Sequence, residues 1–100
     1  MLFIFEVIIK PGFTVEQYAE NWLKASKIIQ QAPGAMGTRL HRDINNPYRL
    51  LAIARWESKE ARDLKDDSKS RLVREILAEH YQKCDINVIG EFEEPEWLIS

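Results

Sequence analysis

The side chains of this chain that could do chemistry are few and scattered. There are two histidines, His41 and His80, and one cysteine, Cys84. The histidines fall in different stretches, with no cysteine or carboxylate beside them at metal-ligand spacing, so no metal is expected. No glycine-rich loop is placed to cradle a phosphate: Gly12 and Gly34 follow prolines, and Gly37 and Gly90 sit in strand-like stretches. A Gly-x-Ser-x-Gly nucleophile elbow is absent. Cys84 follows a helical stretch, where the helix dipole opposes a thiolate, so it reads as a structural thiol.

The remaining candidates each carry two readings. His80 lies four residues after Ile76 on an apolar stripe. It is either a satisfied core histidine or a wall residue, and a possible base, in a pocket between helix and sheet. His41 stands beside Arg39 on the polar side of a strand, either solvated or available to move a proton. Arg74 flanks the stripe on the side of Leu77 and Tyr81. It is either a snorkelling surface arginine or a cation aimed at a pocket, where it could hold an anion. Trp56 shares a strand face with Ala52 and Ala54. Small residues beside one large ring make either ordinary core packing or a cavity with an aromatic wall. Trp22 and Tyr81 complete the candidate substrate-binding set with Trp56, and Arg74, His80 and His41 form the candidate catalytic set.

The elements that must position them follow from periodicity. Residues 2–10 alternate Phe3, Phe5, Val7 and Ile9 against Leu2, Ile4, Glu6 and Ile8, a strand apolar on both faces apart from Glu6. Pro11-Gly12 ends it. Thr14 with Gln17 forms a capping box for a helix to about residue 31, with Val15, Tyr18, Ala19, Trp22, Ser26 and Ile29 inward. Ala32-Pro33-Gly34 stops that helix. Residues 35–43 and 48–57 read as a hairpin around Ile44-Asn45-Asn46-Pro47. The second of these strands carries Leu50, Ala52, Ala54 and Trp56 on one face and Leu51, Ile53 and Arg55 on the other. Ser58 caps a short helix to about residue 64, and Ser68 can cap a second to about residue 83, with Leu72, Val73, Ile76, Leu77 and His80 inward. Residues 84–92 form the last strand. The order is βαββαβ, an α+β ferredoxin-like fold with a four-stranded antiparallel sheet.

Helices cover one face of such a sheet and leave the other bare. Two strands apolar on both faces therefore predict a homodimer, sheet against sheet. The tail, residues 93–100, ends in Trp97-Leu98-Ile99 and is expected to lie on the partner subunit, or else to fold back on its own. One hundred residues make one domain, 1–100, and a chain this short buries only about two thirds of its unfolded surface, so it gains from association. With 14 Lys and Arg against 16 Asp and Glu there is no basic footprint, so nucleic acid is not an expected partner. No apolar run approaches a membrane span. One cysteine and no export signal suggest the cytoplasm.

Several short pieces together resemble the antibiotic biosynthesis monooxygenase family of the dimeric α+β barrels. They are Lys10-Pro11-Gly12, Ala32-Pro33-Gly34, Leu40-His41-Arg42-Asp43 with Asn46-Pro47, and Arg55-Trp56-Glu57-Ser58-Lys59-Glu60-Ala61. The resemblance runs from the first strand to about Tyr81. It implies the barrel dimer and a cofactor-free oxidation of a small aromatic or enolisable compound. In that chemistry a bound phenol is held as its anion and passes an electron directly to O2, while the protein supplies orientation, dryness and charge stabilisation. Of four cavity residues associated with the family's polyketide oxidases, the tryptophan falls on Trp56 and the arginine on Arg74. The asparagine position holds Ala52 and the tyrosine position holds Arg62. A dimeric binding or structural protein without turnover is the alternative.

Overall fold

The computed structural model describes residues 1–64, 67–78 and 82–100. In chain order the elements are β1 (Leu2–Ile9), α1 (Val15–Ile29), β2 (Ala35–Arg42), β3 (Arg49–Trp56), α2 (Lys59–Asp63), α3 (Asp67–Ala78) and β4 (Cys84–Phe92). The strands form one antiparallel sheet in the order β2-β3-β1-β4. This is the ferredoxin-like α+β arrangement expected from the sequence. The sheet is open, with β2 and β4 as its edges.

Local chemistry sets the helix starts. The Thr14 hydroxyl accepts from the Gln17 amide at 3.2 Å, and the Gln17 side chain accepts from the Thr14 amide at 2.9 Å, the reciprocal capping box. The Ser58 hydroxyl accepts from the Ala61 amide at 3.0 Å and starts α2. Because α3 already begins at Asp67, Ser68 lies inside it rather than capping it. The buried stripe of α1 runs through Val15, Tyr18 and Ala25, with Trp22 and Ile29 half-buried. Ala25 takes the place expected for Ser26, because steps of three, four, three and four from Val15 follow the helical period. The helix ends at Ile29, before the expected residue 31. Its last turn tightens instead, as the Gln31 and Ala32 amides bond the carbonyls of Ile28 and Ile29.

The core lies between the helices and one face of the sheet. Val7, Ile9, Val15, Tyr18, Leu50 and Cys84 are buried there, with Phe5, Phe13, Trp22 and Leu40 packed around them. Val7 sits between Leu50 and Ile86, and Phe5 between Ala52 and Val88, so each central side chain has a cross-strand neighbour on both sides. Just before Phe5 the register slips by one residue: Ile4 faces Gly90 while Phe5 faces Val88, leaving Ile89 as a bulge.

The second face carries no helix. Leu2, Ile4, Ile8, Leu51 and Ile53 are only partly covered, and Phe92 is half exposed. In their midst is a charged group the alternation did not predict. Arg49 Nε lies 2.8 Å from Glu6 Oε2 and its Nη1 3.1 Å from Asp43 Oδ2, while Asn87 donates to Glu6 Oε1 at 3.1 Å. The Arg49 hydrogen bond holds the Glu6 carboxyl below its usual range, and the Asn45 amide and Arg49 do the same for Asp43. A carboxyl whose pKa is lower folded than unfolded stabilises the fold above its unfolded pKa. That stabilisation is lost as pH falls through the folded value. Stability should therefore decline below the ordinary carboxylate range, and Glu6→Gln should flatten part of that decline in urea midpoints measured against pH. An unchanged slope would remove Glu6 from the account.

The tail leaves from a fixed point. Glu94 Oε1 accepts from Arg55 Nε at 2.8 Å and from the Met1 amine at 3.3 Å, while that amine also donates to the Trp56 carbonyl at 2.9 Å. Beyond it Trp97, Leu98 and Ile99 are 87%, 78% and 98% exposed. They do not fold back onto their own chain.

Candidate functional site

On the helix-covered face, the small side chains of β3 lie next to those of β2: Ala52 pairs with Leu40 and Ala54 with Thr38. Ala52 is fully buried, and Trp56 is 6% exposed opposite Ala35. Trp56 is thus a packed side chain of the sheet. Trp22 descends from α1 onto the same side, against the core. Between α1 and β2 a cleft of about 260 Å3 opens, lined by Ala19, Trp22, Leu23, Thr38, Arg39 and Leu40. It offers an indole wall, two leucines and a hydroxyl. The Thr38 hydroxyl donates to the Ile53 carbonyl at 3.3 Å, which fixes its direction and leaves its oxygen lone pairs as acceptors.

The expected site residues are distributed as follows. Trp22 and Trp56 share the helix-covered side. Arg74 is exposed on α3, which packs along α1. His41 pairs with Leu51, so it stands on the opposite face of the sheet from Trp56 and is exposed. His80 and Tyr81 lie outside the described residues. The structure therefore puts Trp22 and Trp56 on one side of the sheet, with only Trp22 lining the cleft, and sets His41 on the other side.

Arg62, the residue at the resemblance's tyrosine position, is occupied elsewhere. Its guanidinium lies 3.8 Å over the Phe3 ring and its Nη1 is 3.3 Å from Glu91 Oε1, while Lys59 reaches Glu91 Oε2 at 3.5 Å. This cation–π and ion-pair clasp fixes α2 over the end of β1. Only the bulge register, which places Glu91 opposite Phe3, brings its partners together.

A second cleft, about 230 Å3, sits at the β2–β3 hairpin among Arg42, Asp43, Asn45, Asn46 and Arg49. Its polar groups are spent on the turn: Asp43 Oδ1 accepts from the Asn45 amide at 2.7 Å and Asn46 Oδ1 from the Tyr48 amide at 2.9 Å. Cys84 is buried, and burial together with Asp85 pushes its thiol up against the opposing influence of Lys10, as fits a structural role. Among the described residues no three His, Cys, Asp or Glu side chains gather as a metal site. No helix of the described residues is long and apolar enough to cross a membrane.

Comparison with known proteins gives this geometry a context. The family model for antibiotic biosynthesis monooxygenase matches residues 2–79. Among solved structures, a Bordetella bronchiseptica protein assigned to the antibiotic biosynthesis monooxygenases superimposes with a TM-score of 0.66 at 19% identity, covering 92% of this chain and 96% of its own. SnoaB from Streptomyces nogalater, a cofactor-independent oxygenase, gives a TM-score of 0.67 at 12% identity, covering 96% of each chain. Such identities speak for the fold. No curated protein matches the chain.

Proposed function

The chain belongs to the antibiotic biosynthesis monooxygenase family, and from that premise we propose that it is a cofactor-independent monooxygenase acting on a small aromatic or enolisable compound. The observation that carries this reading is the Trp22 cleft beside the alanine positions of β3, an apolar opening on the helix-covered side with the Thr38 hydroxyl and Arg39 in its lining. In this reading Trp22 and Trp56 supply the apolar surroundings, with Tyr81 as a further substrate-binding residue. Arg74 stabilises the substrate anion, which the apolar walls alone would disfavour. His80, or His41 from a neighbouring subunit, takes the proton.

The overall step balances without a cofactor. A ring C–H of the bound phenol becomes C=O, one oxygen atom of O2 enters that carbonyl, and the other leaves as water with the two hydrogens the substrate gives up. The substrate anion is the reductant and O2 the oxidant. We assign the chain to the cytoplasm and to a homodimer that pairs the uncovered sheet faces, for which the partly covered Leu2, Ile4, Ile8, Leu51 and Ile53 are the support.

Oxygen uptake with a panel of hydroxynaphthoquinone precursors tests the reaction; none with any of them defeats it. Arg74→Ala should lower turnover by about 10²-fold, the scale of losing one charge-stabilising donor. Its urea midpoint should stay close to that of the parent, since Arg74 is exposed and makes no ion pair with another described residue. Arg74→Lys should recover part of the rate. Unchanged turnover in Arg74→Ala removes its role.

A binding protein without turnover is the second reading. It is favoured by Ala52, which offers no polar group, and by Arg62, whose guanidinium is already committed to Phe3 and Glu91. Tight binding of the same compounds without oxygen uptake would select it.

A further inference from the structure

We propose that Thr38 is the specificity-determining residue of the α1–β2 cleft. Its hydroxyl oxygen accepts from the O–H of a bound phenol, so the cleft takes up the hydroxylated substrate and lets go of the quinone, which has no such hydrogen to give. The inference rests on the reading of that cleft as the ligand site.

Three observations carry it. The first is the hydrogen-bonding capacity of the cleft. Among its described lining side chains, Trp22 and Arg39 can only donate, and Ala19, Leu23 and Leu40 do neither. Thr38 is the one acceptor. Its hydroxyl hydrogen is directed at the Ile53 carbonyl, 3.3 Å away in a partly buried contact. Turning that hydrogen toward a ligand would take the donor from the carbonyl. The oxygen therefore offers a ligand its lone pairs, and only a group with a hydrogen to give can use them.

The second is the way Thr38 is aimed. The pairing of β2 with β3 is interrupted between Ala35 and Thr38 and resumes at Thr38, opposite Ala54. Within the interruption Gly37 adopts φ +102°, and its amide donates to Gln30 Oε1 at 2.8 Å. Irregularities of this kind re-aim a strand's side chains. The result here is a hydroxyl on the helix-covered face, with only the small Ala54 across from it.

The third is that the cleft is tied at both ends. Arg42, at the end of β2, donates to Glu16 Oε1 near the start of α1 at 2.7 Å. The Gln30–Gly37 bond joins the end of α1 to the start of β2. These two ties bracket the lining residues of both elements. A ring lying against Trp22 is thereby held at a set distance from Thr38, as a few placed polar groups orient a ligand among apolar walls.

The chemistry gives the acceptor its use. In the reaction proposed above, the substrate gives up its hydroxyl hydrogen together with a ring hydrogen. The oxygen that Thr38 receives as O–H thus ends as a carbonyl. Accepting from the O–H also favours the neutral phenol, the form present in water near neutral pH. Thr38 acts on arrival and departure, and Arg74 acts on the anion between them.

Equilibrium dialysis without oxygen tests this with three probes: 1-naphthol, 1-methylnaphthalene, in which a methyl replaces the hydroxyl, and 1,4-naphthoquinone. Thr38→Val keeps the side-chain shape and removes the acceptor. It should weaken 1-naphthol about fivefold relative to each of the other probes, the scale of one net hydrogen bond. Thr38→Ser should keep the parent's ratios. Each ratio is taken within one protein, so a change in folded fraction cancels. Unchanged ratios in Thr38→Val overturn the assignment, as does an equal loss in Thr38→Ser. Oxygen uptake separates the two proposals: unchanged ratios with uptake intact defeat only the role of Thr38, and shifted ratios without uptake defeat only the oxidase reading. A parent chain that binds none of the three probes loses the cleft as a ligand site, and this proposal with it.

Discussion

Replacing Trp56 with alanine is expected to cost about 3–5 kcal/mol of stability, the range for deleting a large aromatic from a packed site. A domain of this size has only about 5–15 kcal/mol in all. Trp56 is 6% exposed, and its strand position pairs with Ala35. Its backbone is held at both ends as well: the Trp56 amide donates to the Met1 carbonyl and its carbonyl accepts from the Met1 amine, each at 2.9 Å. The adjacent residues of its face on β3 and β2, Ala54 and Ala35, are too small to fill the space. Trp56→Phe keeps most of the buried ring and should lose far less. Urea denaturation of the two variants decides between the two readings of this residue. If Trp56 merely walls an open cavity, alanine would cost little stability and would act on ligand binding alone. If it is a packed member of the fold, both variants rank by the volume removed, and the residue marks the fold more than the reaction.

The same distinction explains what could be read from residue types and what could not. Alternation and turn chemistry are local, so all four strands, the Thr14–Gln17 box and the Ser58 cap were legible from their own few residues. The faces of β1 and β3 were also legible, because a strand's side chains alternate regardless of what covers them. What stayed hidden depends on contacts far apart in the chain. Glu6 looked like a lone charge on an apolar face. Its partners Arg49 and Asn87 are 43 and 81 residues away, and only the strand order brings them alongside. Arg62 could not be placed on Phe3 and Glu91 without the bulge at Ile89. His41 and Trp56 both stood out as chemical candidates, yet the parity of β2 against β3 puts them on opposite faces of one sheet. The cleft at Trp22 is likewise a product of two elements, since neither α1 nor β2 shows it alone. The tail is the intermediate case: its apolarity was evident, and its anchoring by Arg55 was not.

Replacing Gly34 with alanine should be nearly as damaging as losing Trp56, through a different mechanism. Gly34 adopts φ +86°, where an L side chain costs about 1–2 kcal/mol. A Cβ built there would also stand 2.6 Å from the Ala61 Cβ, a separation at which one of the two must move. Ala61 lies in the first turn of α2, three residues after Ser58, whose hydroxyl accepts from its amide, and the Gly34 carbonyl accepts from the Glu57 amide at 2.8 Å. The turn between α1 and β2 is therefore packed against the start of α2 by backbone as well as side chain. Overpacking of this kind adds about 1–3 kcal/mol, for an expected total of about 2–5 kcal/mol in the urea-derived stability. The two parts separate in a double variant. Ala61→Gly removes the steric partner but leaves the backbone strain, so Gly34→Ala with Ala61→Gly should be less destabilised than the sum of the two single changes. Strict additivity would mean that the close approach is relieved by a shift of the turn. A loss below about 1 kcal/mol in the single variant would mean that φ itself relaxes. Because α2 carries Arg62, any displacement of that helix also lifts the guanidinium from Phe3 and Glu91. Fluorescence and oxygen-uptake measurements on the Gly34 variant would then respond together with its stability, whereas a purely local strain would move stability alone.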